Sequence, residues 1–222
     1  MRKRGHTPQS VLKRLRHYAS ASNREGMKRF GINTGNALGV PVTRLRIIAR
    51  DTPGDHCLAL QLWVTGIHEA RLLATMIEDP YKTKEKQLDR WLKTVDSWDL
   101  CDQLCLNVAS KMPFAYRKAF EWSEREPEFQ KRAGFALMAA LAVRDKQAED
   151  YQMEAFFTPI LNECTDERNY VKKAVSWALR QIGKRNEHLR KKAIEVAEKI
   201  GEKDSPAAKW IASDALRELS QH

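Results

Sequence analysis

The sequence predicts an all-α fold, built as a solenoid of stacked antiparallel helix pairs rather than as a compact bundle. Three observations carry this. After Gly66 only Gly134, Gly183 and Gly201 interrupt segments rich in Ala, Leu, Lys, Glu and Arg, which are good helix formers. Strand signals fail, because no stretch sustains apolar–polar alternation and no hairpin dipeptide lies between β-branched runs. The helical segments also resemble one another at a regular interval.

Taken in order, the apolar periodicity and the breakers place helices over 9–25, 41–50, 55–64, 67–78, 83–94, 98–110, 114–123, 127–143, 148–163, 168–184, 187–201 and 206–219. The stretch from Gly31 to Pro41, with Gly31, Gly35, Gly39 and two Asn, reads as a loop. Set Lys172–Ile182 (KKAVSWALRQI) over Lys209–Leu219 (KWIASDALREL), and five of eleven residues coincide at an offset of 37. Arg132–Leu141 (RAGFALMAAL) has the same small and apolar texture about 41 residues upstream, and 191–200 (KKAIEVAEKI) fits as the other helix of a pair. Such offsets, with two helices per unit, lie at or near the period of HEAT and armadillo repeats. Ala at inner positions lets helices approach closely. The expectation is about six HEAT-like helix pairs in a single domain over 1–222, with 1–8 a flexible basic arm and a concave basic groove along one side.

Lys and Arg number 39 against 29 Asp and Glu, a net charge of +10. The excess is not uniform. Residues 1–50 hold twelve basic residues and one acid, 51–166 are net −6, and 167–203 are net +6. Two basic segments around an acidic middle suit a polyanion, since clustered cations release condensed counterions from phosphates; a merely solubilising surface fits the charge equally well. The longest unbroken apolar run, Phe135–Val143, is nine residues, far below the roughly 20 that cross a bilayer. No apolar stretch follows Arg2, Lys3 and Arg4, so a secretory signal is not expected. Cys57, Cys101, Cys105 and Cys164 do not form a disulfide framework, and the Cys101–Cys105 pair reads as core packing rather than a metal site. The natural reading is a reduced, cytoplasmic, monomeric protein.

Phosphate-cradling glycine loops, HExxH and GxSxG are absent, and the six His are scattered. The segment Asp96-Ser-Trp-Asp-Leu-Cys-Asp102 is more informative. With Asp96 or Ser97 as N-cap, Trp98 and Asp102 stand one helical turn apart on one face. The positive end of the helix dipole favours an ionised carboxylate there. A core Trp beside a helix-start carboxylate would look the same. Trp177 lies mid-helix beside Lys172, Lys173 and Arg180, and its counterpart at offset 37 is Asp214, so the repeat alone does not require an aromatic there.

These residues resemble the DNA alkylation repair glycosylases of the AlkD type, curved stacks of HEAT-like repeats. The resemblance runs through GINTGNALGVPVTRLR, SWDLCD, QKRAGFAL and VKKAVSWALR, most of the chain. It implies that Trp98 and Asp102 open an active-site helix, that Arg132 (with Lys131 in place of a first Arg) grips a phosphate, and that Trp177 is the second active-site Trp. Family members can carry two Trp at the start of that helix, whereas Asp99 follows Trp98 here. The implied activity is hydrolysis of the N-glycosidic bond of cationic alkylpurines (3-methyladenine and 7-methylguanine) in double-stranded DNA. An abasic site is left, and neither metal nor cofactor is needed. Asp102 would stabilise positive charge rising on the deoxyribose, the Trp faces would hold the cation, and Lys172, Lys173 and Arg180 would contact DNA. A non-catalytic HEAT-type module binding damaged or branched DNA is the alternative.

Overall fold

The computed structural model describes residues 6–52 and 54–221. Among them are fourteen α-helices, one 3-10 turn and no strand, as the all-α reading requires. The chain divides into two compact units, Met1–Lys111 and Met112–His222.

Unit 1 contains α1 (Pro8–His17), α2 (Ala21–Arg29), α3 (Val42–Asp51), α4 (His56–Val64), α5 (His68–Ile77), α6 (Glu85–Leu92), α7 (Trp98–Asn107) and the 3-10 turn Ala109–Lys111. Helix α3 packs on α5 and α5 on α7, so these three form one row, with α4 laid against α5. Unit 2 contains α8 (Ala115–Ser123), α9 (Glu128–Arg144), α10 (Asp150–Glu154), α11 (Phe157–Glu163), α12 (Asn169–Gly183), α13 (Glu187–Gly201) and α14 (Pro206–Leu219). Here α9, α12 and α14 form the row, with α8 against α9 and α13 against α12 and α14. Of the basic arm expected over 1–8, residues 1–5 lie outside the described residues. His6 contacts the Asp51 carbonyl at 3.1 Å through Nε2, and Thr7 caps α1 by accepting from the Ser10 N–H.

The repeat is written into the polar contacts. In unit 1, bonds recur between residues 31 or 32 apart: His68 to Asp99, Trp63 to Thr94, the Leu38 amide to Glu69, and Asn107 to Thr75. In unit 2 the interval is 38 for Ser176 to Asp214, Arg180 to Glu218 and Ser205 to Glu167, and 43 for Arg185 to the Ala142 carbonyl. Each contact joins equivalent stretches of successive helix pairs.

Two expected helices are each two. The segment 9–25 breaks after His17 because Ser20 caps a new helix, accepting from Asn23 N–H while its own N–H goes to the Leu38 carbonyl. The segment 148–163 breaks at Ala155, whose carbonyl would need an N–H from residue 159 to continue the helix. That residue is Pro159, which has none. Phe156, at the break, is buried and lies 5.7 Å from Tyr116 and 5.2 Å from Phe120, ring centre to ring centre.

Helix α9 is apolar nearly all round and is buried from Lys131 through Ala142, as an all-round apolar helix must be. Gly134 marks its closest approach to α8, where a Cβ would stand 2.2 Å from the Ser123 nitrogen. Cys101, Cys105 and Cys164 are buried, while Cys57 is exposed on α4. No helix among the described residues is long and apolar enough to cross a membrane.

Candidate functional site

Helix α7 begins at the Ser97 cap and turns about 100° per residue. Leu100, Cys101, Leu104 and Cys105 therefore fall inward and are buried, while Trp98, Asp99, Asp102, Gln103, Leu106 and Asn107 share the opposite, half-exposed face. Trp98 and Asp102 are neighbours on that face, one turn apart. Trp98 is thus not a core aromatic; its indole N–H donates to the Phe30 carbonyl at 3.0 Å. The start of α7 is tied to the Gly31–Pro41 loop a second time, through Asn33 Nδ2 and Asp96 Oδ2 at 2.8 Å.

The loop is itself organised by a buried carboxylate. Glu69, fully buried on α5, accepts from the amides of Leu38 (2.8 Å), Gly39 (2.6 Å) and Val40 (3.2 Å). Gly39 has φ +78°, and a Cβ there would stand 2.1 Å from the Ser20 carbonyl oxygen. Only glycine meets both demands.

Asp99 is held on both oxygens, by Ser97 Oγ at 2.8 Å and by His68 Nε2 at 2.8 Å. Burial pushes the Asp99 carboxyl up, but the His68 hydrogen bond and charge, together with Ser97, hold it below the usual carboxylate range. For His68, burial lowers the pKa, and the hydrogen bond and charge of Asp99, with Glu69 and Asp96 nearby, raise it beyond that loss. Each therefore favours the charged form of the other. A largely apolar cavity of about 540 Å³ adjoins them, walled by Met27, Phe30, Ile32, Val42, Leu72 and Trp98.

Further along α7 lies an open cleft of about 630 Å³, lined by Thr43, Arg46 and Arg50 of α3 and by Gln103 and Asn107 of α7. Sequence reasoning passed over these residues individually. Their signal is the spacing of Thr43, Arg46 and Arg50 by three and four, which puts them on one helix face inside the basic segment 1–50.

The remaining expected site residues belong to unit 2, on α9 and α12, which pack together. Trp177 is half-buried and Lys173 exposed. Lys172 Nζ stands 5.7 Å from the centre of the Trp210 ring, a cation–π arrangement. Arg180 pairs with Asp214 and Glu218, and Asp214 also accepts from Ser176 Oγ at 2.7 Å. Asp214, the counterpart of Trp177 in the repeat, thus has a structural use. Lys131 and Arg132 are each 6% exposed. Lys131 pairs with Glu163 at 2.6 Å, and Arg132 Nη1 donates to the Tyr170 carbonyl at 2.6 Å, joining α9 to α12.

The fold has a solved counterpart. A structure from a family described as related to the HEAT-like repeat DNA glycosylases, with affinity for branched DNA structures, superposes with a TM-score of 0.81 at 20% identity. The match covers 96% of this chain and 96% of that one. No curated protein matches the chain. A family model described as DNA alkylation repair enzyme matches residues 11–219, and the chain belongs to that family.

Proposed function

We propose that the protein is a monofunctional, monomeric DNA glycosylase that hydrolyses the N-glycosidic bond of cationic alkylated purines in double-stranded DNA. The observation that carries this is the half-exposed face of α7, where Trp98 and Asp102 stand one turn apart in a member of the DNA alkylation repair enzyme family. A purine alkylated at N3 or N7 is already a good leaving group, so no strong general acid is required. Positive charge grows on the deoxyribose as the bond breaks. Asp102 stabilises that charge and orients the attacking water. Trp98 offers a π face to the cationic nucleotide, and Trp177 is named as the second active-site Trp by the family resemblance alone. The family resemblance makes Arg132, with Lys131 before it, a phosphate contact; Lys172, Lys173 and Arg180 are further candidate DNA contacts beside Trp177, and Arg46 and Arg50 add a basic cleft beside α7. No cofactor enters this chemistry.

The test is release of 3-methyladenine and 7-methylguanine from methylated duplex DNA. Asp102→Asn is expected to lower the rate about 100-fold, the scale of losing one fixed electrostatic group. Equal rates for both proteins would remove Asp102 from the mechanism. One observation favours a second reading, a non-catalytic module for branched DNA: the similar solved structure belongs to a family with that affinity. That reading expects tight, salt-dependent binding to branched DNA and no free base from the wild-type protein.

A further inference from the structure

We propose that the cavity at the start of α7 binds a planar heteroaromatic ring bearing a hydrogen-bond acceptor, the chemistry of a nucleobase, with His68 as its polar anchor. Its volume of about 540 Å³ falls in the range of small-ligand pockets, which combine apolar walls with few polar groups. The walls are of that kind. Met27, Ile32, Val42 and Leu72 supply aliphatic surface, and Phe30 and Trp98 supply aromatic surface. Phe30 is 75% and Val42 41% exposed, so the mouth of the cavity presents apolar side chains to water. The link from the Trp98 indole to the Phe30 carbonyl fixes these two aromatic residues to each other at the rim.

The polar groups then define the ligand. Two buried polar side chains border the cavity, Glu69 and His68. Glu69 spends its oxygens on the amides of Leu38, Gly39 and Val40. His68 is 4% exposed and spends Nε2 on Asp99. Its Nδ1 has no protein partner among the described residues. An imidazole paired through Nε2 with a carboxylate carries a proton on Nδ1 when charged, and the carboxylates facing His68 (Asp99, Asp96 and Glu69) favour that form. A donor with no protein partner, on a side chain bordering an apolar cavity, selects an acceptor on an otherwise apolar flat ring. Purine ring nitrogens meet this requirement. The ring can belong to a free base or to a base displaced from a strand; only the second source rests on the proposed DNA-directed function.

Matched probes test the anchor. Benzimidazole and indole have nearly the same shape, but only benzimidazole has a ring acceptor. Calorimetric titration of the full chain is expected to show adenine and benzimidazole binding saturably, with benzimidazole about tenfold tighter than indole, the worth of one hydrogen bond. In spectra of ring-¹⁵N-labelled histidine, benzimidazole should shift His68 Nδ1 and indole should not. His68→Phe should bring benzimidazole down to the level of indole, whereas Asp102→Asn, which disables base release under the proposed function, should leave ring binding unchanged. Equal affinities for the two probes, a His68 signal blind to both, or no saturation by adenine up to about 10 mM would overturn the proposal. Displacement of adenine by a duplex with one bulged adenine assigns the cavity to bases in a strand; failure to displace assigns it to free bases.

Discussion

His68 and Asp99 stabilise each other's charged forms, and the consequence for stability has a definite sign on each side. Asp99 is held below its unfolded value near 3.8, so its contribution is complete above that value and disappears as pH falls through the depressed folded pKa. His68 is held above its unfolded value of 6.5, so its contribution is complete below 6.5 and disappears as pH rises through the raised folded pKa. The pair therefore stabilises fully between about pH 4 and 6.5 and weakens on both flanks. Thermal unfolding of Asp99→Asn across pH should be flatter on both flanks than that of the wild type. Asp99→Ala, which leaves His68 buried and unpaired, should cost about 3 kcal/mol in urea unfolding. A wild-type profile that does not change on Asp99→Asn would show that the pair contributes nothing beyond packing.

Glycine and carboxylate set how elements approach one another within each unit. Gly134→Ala sets a Cβ against the Ser123 backbone of α8, and because backbone cannot rotate aside, the loss should reach or exceed about 3 kcal/mol. Glu69→Gln keeps the volume but removes the charge that gathers three loop amides; about 2 kcal/mol should be lost, and hydrogen exchange should speed up at Leu38, Gly39 and Val40 before it does in α9. Uniform exchange changes would contradict that loop-specific role. Most of these elements were legible in the sequence, since apolar periodicity and caps gave α3, α4, α12, α13 and α14 to within two residues. The divided helices were less so. Pro159 was visible, and its missing N–H accounts for the break at Ala155; that Phe156 is buried at the break was not visible. The 37-residue repeat was legible in unit 2 because both copies keep Ser, Ala, Leu and Arg. The 31-residue interval of unit 1 was not, because it is carried by contacts between unlike residues such as His68 and Asp99. For the same reason Trp98 and Asp102 could be picked out by their spacing on one helix, while the neighbouring imidazole could not.

Charge is a property of the whole chain, and its distribution between the units separates candidate DNA contacts from internal ion pairs. Unit 1 holds nineteen basic against eleven acidic residues, and unit 2 twenty against eighteen. The near balance in unit 2 is visible as pairing: Lys131 with Glu163, Arg168 with Asp166, and Arg180 and Lys184 with Glu218. A cation already neutralised inside the protein releases few counterions when DNA binds. Arg46 and Arg50 instead line an open cleft. If both contact phosphate, the slope of log K against log salt should become shallower by about 1.8 in the Arg46→Ala, Arg50→Ala double variant, close to 0.9 per contact. Lys131→Ala should lose folding stability and leave the slope nearly unchanged, because its ammonium is committed to Glu163. Both are measurable by titrating one labelled duplex at several salt concentrations. An unchanged slope in the double variant, with a shallower one for Lys131→Ala, would reverse the assignment and place the phosphate contacts on α9, where the family resemblance alone puts them.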